Sequence, residues 1–431
     1  MRPDWESGLR GRIYAFGRRV LPLSWRRALR RRLRPERLLG LRKPPVELPG
    51  LTVAADRGAP GRADLLILPV IPWSYRRQRP QQLAEAMARR DMRVFYGSLS
   101  GSGEPAEPTG VAPGVTLLPI EGVFKEDPAD RRLEGRSLAE ALGSLDAAHA
   151  RFGLRDVVVL AQSPFWAPLC VALAERGGWR IAYDCLDAHE AFATNRPGIL
   201  VDAERELAAR AELVVATSES LRRRMAAWNP EARLLPNACD FELFGGIADP
   251  APHPGRLVVG YAGAVDEWFD MRLVAELAAL RPLWRFEIVG GLEGADRDAP
   301  RLPNLAFHGE RPHREMPEWR ARFDVEIIPF RLSALTHATD PVKLYEAAAA
   351  GRTVVATPLE SLEAFARRGV VRRASSATGF AREIEAAAAE GPAGARRQRA
   401  FARENTWDIR AGSLEGWLTP PGARGTVQRG S

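Results

Sequence analysis

PFRLSALTHATDPVKLYEAAAAGRTVVATP, residues 329–358, reads as the end of one strand, a loop, a helix and the next strand. The helix is expected to open at Asp340 and Pro341, with Asp as N-cap and Pro at the first helical position, where its missing N–H leaves no bond unmade. Free amides at that end, with Lys343 in the first turn, form an anion site by dipole and by charge. A cation gains nothing from the dipole there, so Lys343 is better explained by an anionic partner than by helix stability. Glu346 lies three residues on, on the same face. It is either half of an i, i+3 ion pair or a carboxylate that accepts from two hydroxyls of a ligand whose phosphate meets Lys343. The alanines at 347–350 and Gly351 allow close packing and end the helix.

Outward from this segment the same alternation continues. Strands are expected at 257–261, 285–289, 305–308, 325–329 and 354–357, with helices at 271–280, 313–322, 341–350 and 376–390. The linker ADPAPHP, residues 248–254, separates this half from an earlier one with strands at 63–70, 93–98, 115–120, 157–161, 180–184, 213–218 and 234–237. Helices at 79–90, 138–152, 201–211 and 219–228 fill the intervals. The pattern predicts an α/β chain of two doubly wound, Rossmann-like domains facing across a cleft. Ligands in such sheets bind beyond the carboxyl ends of the strands.

The 431 residues, 45% hydrophobic and 27% charged, exclude collagen, coiled coil and wholesale disorder. Three cysteines without CxxC spacing exclude a disulfide framework or zinc site and fit a reducing cytoplasm. No apolar run suits a membrane span, and no signal peptide is evident. No GxxxxGK[ST] is present, which argues against a P-loop enzyme. Only three of the 62 basic residues are lysines, a bias that fits a GC-rich, bacterial genome.

Other candidates follow the strands. Gly263, just past a strand, permits close backbone approach to an anion. Asp184, Asp187 and His189 end the strand at 180–184 and serve either as turn formers or in catalysis and acceptor positioning. Trp73, Arg76, Arg77, Arg79 and Gln81 follow the first strand and are candidates for binding a saccharide or a lipid-linked phosphate. The DxD triplet Asp296, Arg297, Asp298 sits in a Gly- and Pro-flanked loop with its own arginine and reads as a solvated turn, so no metal is expected.

GYAGAVDEWFD, FHGERPHREMPEWRARFDVEIIPF and DPVKLYEAAAAG, in this order, resemble the donor half of a GT-B glycosyltransferase in the group around family 4. RPQQLAEAMARR, YDCLDAHE, AELVVATSESLRRRM and LLPNACDFELF resemble that group's acceptor half and interdomain crossing, and ARENTWDIRAG its terminal helix returning to the first domain. The resemblance implies transfer of a sugar from a nucleotide diphosphate sugar, with retention and without an obligatory metal or other cofactor, to a saccharide or lipid-linked acceptor in cell-surface polysaccharide or glycolipid synthesis. Glu346 matches the carboxylate that binds the donor ribose, Gly263 the glycine facing the diphosphate, and 309–311, with Arg311, the region bracketing the nucleobase. Two departures stand out. Ala338 occupies the position of an earlier Glu, and residues 264–267 lack the usual Arg/Lys pair. Lys343, with Arg331, is the candidate for the missing charge. These departures also motivate two alternatives, a non-catalytic nucleotide-sugar-binding scaffold and a nucleotide-sugar epimerase of the same fold. The expected division is an extension at 1–50, an acceptor domain at 51–248, a donor domain at 249–398 and a terminal helix and tail at 399–431.

The extension carries most of the charge. Residues 1–43 hold 14 basic and 3 acidic residues, although the whole chain is only +8. Leu9, Ile13, Phe16 and Val20, then beyond Pro22 Trp25, Leu29 and Leu33, mark two amphipathic basic helices. They suit an anionic membrane surface on the inner face of the cell membrane, a solvated or docked extension, or nucleic acid; no nucleic-acid module elsewhere supports the last. Deleting residues 1–43 should sharply reduce sedimentation with anionic vesicles at low salt and leave the body folded; equal sedimentation of both forms would contradict the membrane reading.

Overall fold

The computed structural model describes residues 62–124, 132–192, 197–251, 255–292 and 300–419. The expected basic extension and the Asp296, Asp298 loop lie outside them. The first sheet comprises β1 (Leu65–Leu68), β2 (Val94–Ser100), β3 (Thr109–Ala112), β4 (Val115–Phe124), β5 (Val158–Ala161), β6 (Arg180–Cys185), β7 (Leu213–Ala216) and β8 (Arg233–Leu234), in the order β3-β4-β2-β1-β5-β6-β7-β8. The second comprises β9 (Val258–Ala262), β10 (Arg285–Val289), β11 (Leu305–Phe307), β12 (Val325–Ile328), β13 (Thr353–Ala356) and β14 (Val371–Arg373), in the order β11-β10-β9-β12-β13-β14. In each, the strand order reverses beside the first strand. The reversals, between β1 and β5 and between β9 and β12, are where a crevice opens beyond the strand ends.

The first sheet is buried on both faces, which is why its strands read as continuous apolar runs rather than alternating ones. Leu66 and Leu68 face a core with Phe95, Val159, Trp166 and Tyr183, and Leu65 and Ile67 face Leu83, Met87, Val94 and Tyr96. The latter layer is completed by Trp407, Ala411 and Leu414, so the helix Trp407–Leu418 covers the first domain although it follows the second in sequence. The second sheet packs its own core, in which Gly260 of β9 makes room for the Phe323 ring; a Cβ there would lie 2.1 Å from that ring.

Several elements differ from the expectation. β3 is antiparallel to β4, joined to it through Pro113 and Gly114, the latter at φ +78°, where glycine is favoured. Periodicity missed it because four residues give too short a pattern. The short strand β14 and the helices Ala167–Gly177, Ala334–Ala338 and Gly391–Arg403 were likewise not expected. The last of these runs through the division drawn at 398. The helix of the opening segment spans Val342–Ala349, and Pro341, not Asp340, is its N-cap. Asp340 is no cap because its carboxylate is buried and engaged elsewhere, accepting from the Asn237 amide at 2.6 Å and from the Tyr345 hydroxyl at 3.0 Å.

Candidate nucleotide-sugar site

At the second reversal, β9 ends at Ala262 with Gly263 just beyond it, and β12 runs into Pro329 and Phe330. The Gly263 amide donates to Val289 O at 2.8 Å, and a Cβ on Gly290 would lie 1.8 Å from Gly263 O, so the loops after β9 and β10 meet in a contact only glycine allows. A Cβ on Gly263 would fall 2.7 Å from Lys343 Cε and 3.4 Å from Nζ. The Lys343 side chain thus lies directly over the bare backbone at the strand end. Its ammonium sits over the rings of Phe330, at 4.8 Å, and Tyr261, at 5.6 Å, and makes no ion pair among the described residues. Burial, with the nearby Arg320 charge, brings its pKa down to about 8 despite opposing help from Glu346 and Asp187.

Glu346 is not paired to Lys343, so the i, i+3 bridge is absent. One oxygen meets His313 Nε2 at 3.1 Å, and the other accepts from Arg320 Nη2 at 2.8 Å. Burial works against its ionisation, but the His313 hydrogen bond and the Arg320 charge outweigh it and hold the carboxyl at about 2. Arg311 and Arg331 are exposed. Arg311 lies 5.8 Å over the Trp319 ring, and Arg331 donates to Glu267 O at 3.3 Å on the loop after β9.

The first domain contributes Asp187. Its carboxyl feels the Lys343 charge of the second domain, while burial raises its pKa to about 7. His189 is only 5% exposed and lies beside Arg224; burial and that charge take it down to about 4, leaving a neutral ring inside the first domain. The structure therefore brings together Gly263, Lys343, Glu346 and Asp187, and places His189 in the interior.

Two of the five acceptor candidates, Arg79 and Gln81, are committed to the interior of the first domain. Arg79, 3% exposed, is consumed by Asp184, to which Nη2 donates at 2.8 Å and Nε at 3.0 Å, and by Pro236 O and Asn237 Oδ1. Gln81 spends its amide on the carbonyls of Pro72, Trp73 and Arg76, fixing the loop after β1. Both stand on the first-domain helix that covers the sheet and point inward, so neither is free to bind saccharide. Trp73 is partly buried, edge-on to Tyr96 at 5.1 Å.

Arg320, His313, Glu326 and Asn237 were missed. Glu326 carried a readable signal, since a carboxylate within the apolar run VEII must find a buried cation.

Comparisons with known proteins bear on the fold. Sucrose-phosphate synthase from Thermosynechococcus elongatus superposes with a TM-score of 0.65 at 15% identity, over 82% of this chain and 98% of that one. Anabaena HepE, in a crystal structure with UDP and glucose, superposes with a TM-score of 0.56 at 15% identity, over 82% and 98%. The chain has the GT-B fold. Residues 256–390 match the family described as Glycosyl transferases group 1. A Bacillus subtilis (strain 168) protein named for teichuronic acid biosynthesis glycosyltransferase, TuaH, is 28% identical over 203 residues, 42% of this chain and 51% of that protein. This GT-B chain thus spans about half the length of the curated relative it matches. Among the described residues no helix is long and apolar enough to cross a membrane.

If Arg79 is structural, Arg79→Ala should lower unfolding free energy by about 3–5 kcal/mol in denaturant titration, because Asp184 is left buried without its cation. Unchanged stability would return Arg79 to the list of binding residues.

Proposed function

We propose that the chain is a retaining glycosyltransferase that moves a sugar from a nucleotide diphosphate sugar to a saccharide or lipid-linked acceptor in cell-surface polysaccharide synthesis, working in the cytoplasm at the inner membrane face. The observation that carries this reading is the Lys343 ammonium, without a carboxylate partner among the described residues, over the Gly263 backbone at the strand-order reversal, one helical turn from Glu346. The group 1 match over 256–390 and the UDP and glucose bound by HepE support the donor class, and the TuaH likeness supports the polymer.

Cleavage of the bond between the anomeric carbon and the diphosphate leaves negative charge on a phosphate oxygen. Lys343 and the loop amides stabilise that charge, fixed in place before the reaction begins. Glu346 accepts from the ribose hydroxyls. In a front-face route the departing phosphate takes the proton of the acceptor hydroxyl as that oxygen bonds to carbon on the face the phosphate leaves, which accounts for retention. Asp187 faces the reacting centre from the acceptor domain. No metal or cofactor enters this scheme.

Transfer assays with a panel of nucleotide sugars, with the anomeric configuration of product determined, test the proposal. Lys343→Ala should lower the transfer rate about tenfold or more, since a lost charge-assisted contact is worth roughly 1.5–3 kcal/mol. Glu346→Gln should weaken donor and nucleoside diphosphate alike, because that contact exists before and during reaction. Nucleoside diphosphate affinity should also decline as pH rises through about 8, where the free protein's Lys343 loses its proton. Two silent variants and flat pH behaviour would remove the site assignment.

A further inference from the structure

Behind Glu346 lies a set of buried charges that the reaction itself does not use. Arg320 is fully buried and Glu326, in the middle of β12, is 3% exposed. Arg320 Nη1 donates to both Glu326 oxygens, and Nη2 donates to Glu346. Arg320 and His313 both rest on the ring of Phe244, the guanidinium 5.4 Å from its centre and the imidazole edge-on at 5.6 Å. The Arg320 carbonyl is in turn held by Arg352 Nε at 3.0 Å.

Buried ion pairs are weak devices for stability, since an apolar pair of similar volume usually serves as well. What they supply here is direction. The guanidinium is a rigid planar fork, so fixing Nη1 on Glu326 fixes the line along which Nη2 meets Glu346. His313 fixes the other oxygen. Each Glu346 oxygen has then taken one donor, and a carboxylate has roughly four acceptor positions, so two remain, one per oxygen. Two neighbouring hydroxyls on a ribose need that number. The side chain is still 12% exposed, which leaves it open to a ligand.

We propose that Arg320 and His313, anchored by Glu326 and Phe244, are positioning residues that lock Glu346 in the orientation that receives both ribose hydroxyls of the nucleotide donor. This rests on the donor reading above. His313, on the turn before the helix Met316–Ala321, and Arg320, on that helix, contact Glu346 directly, and Glu326 on β12, Lys343 on its own helix, Arg77 on the loop after β1 and Cys239 on the interdomain crossing are near enough to interact with its charge.

The test uses the full chain and whichever of UDP, GDP, ADP and dTDP the wild type binds most tightly by calorimetry. The double variant Arg320→Met, Glu326→Leu removes the two most tightly paired buried charges together, so neither of them is left in the core without the other, and Glu346 keeps only His313. It should bind that nucleotide about tenfold more weakly, in line with loss of one hydrogen bond to a charged group. Donor KM should rise by a similar factor with kcat nearly unchanged. The acid limb of nucleotide binding should move to higher pH as the Glu346 carboxyl loses its cation. Arg320→Lys, which keeps the charge without the fork, should not restore affinity. Should the double variant not fold, His313→Ala, at a partly exposed site, should weaken binding several-fold by itself. A folded double variant, or a His313→Ala protein, with wild-type affinity and pH profile overturns the proposal while the donor reading stands. A wild type that binds none of the four nucleotides overturns both.

Discussion

The ammonium of Lys343 has no carboxylate to rest on among the described residues, and the surrounding donor half keeps it that way. Glu346, on the same helix face, is occupied by His313 and Arg320. Asp340, three residues before Lys343, is occupied by Asn237 and Tyr345. Asp187, from the acceptor domain, makes no ion pair with Lys343 among the described residues. The cation is left with the faces of Phe330 and Tyr261, which stabilise it less than an anion would, and burial brings its pKa down to about 8. A phosphate at Gly263 would supply the missing charge without moving a carboxylate.

That arrangement depends on how the two domains meet. The Asn237 amide and side chain close two hydrogen bonds on Asp340, 2.6 Å to its carboxylate and 2.7 Å to its carbonyl, so the end of the acceptor domain is bonded to the residues that open the Lys343 helix. Arg79 reaches Asn237 from below while holding Asp184, and Arg410 of the last helix bonds the Pro236 and Asn237 carbonyls. Ala338, where the related pattern carries a glutamate, is buried against the first domain's core. A charge at that position would be desolvated there, which gives the departure a packing reason.

The layer architecture was legible because both sheets are buried on both faces, so β9, β10 and β12 announce themselves as apolar runs bounded by glycine or proline. Gly263, Lys343 and Glu346 were legible for a related reason: a strand end and a helix start lie in fixed relation in any doubly wound sheet. What spacing could not show was competition for a side chain. Arg79 resembles any cleft arginine until its partner Asp184, more than a hundred residues away, is seen to claim it. Asp340 carries the composition of a cap and is diverted by Asn237. The Arg320 to Glu326 pair hides because its two members are neighbours in sequence yet meet only through the packing of a helix on β12.

A structure of the protein with a nucleoside diphosphate bound tests the central claim most directly. The account predicts a phosphate oxygen within hydrogen-bonding distance of Lys343 Nζ and of the backbone after β9, with the ribose hydroxyls on Glu346. A diphosphate bound elsewhere, with Lys343 still lying over Phe330 and Tyr261, would contradict it.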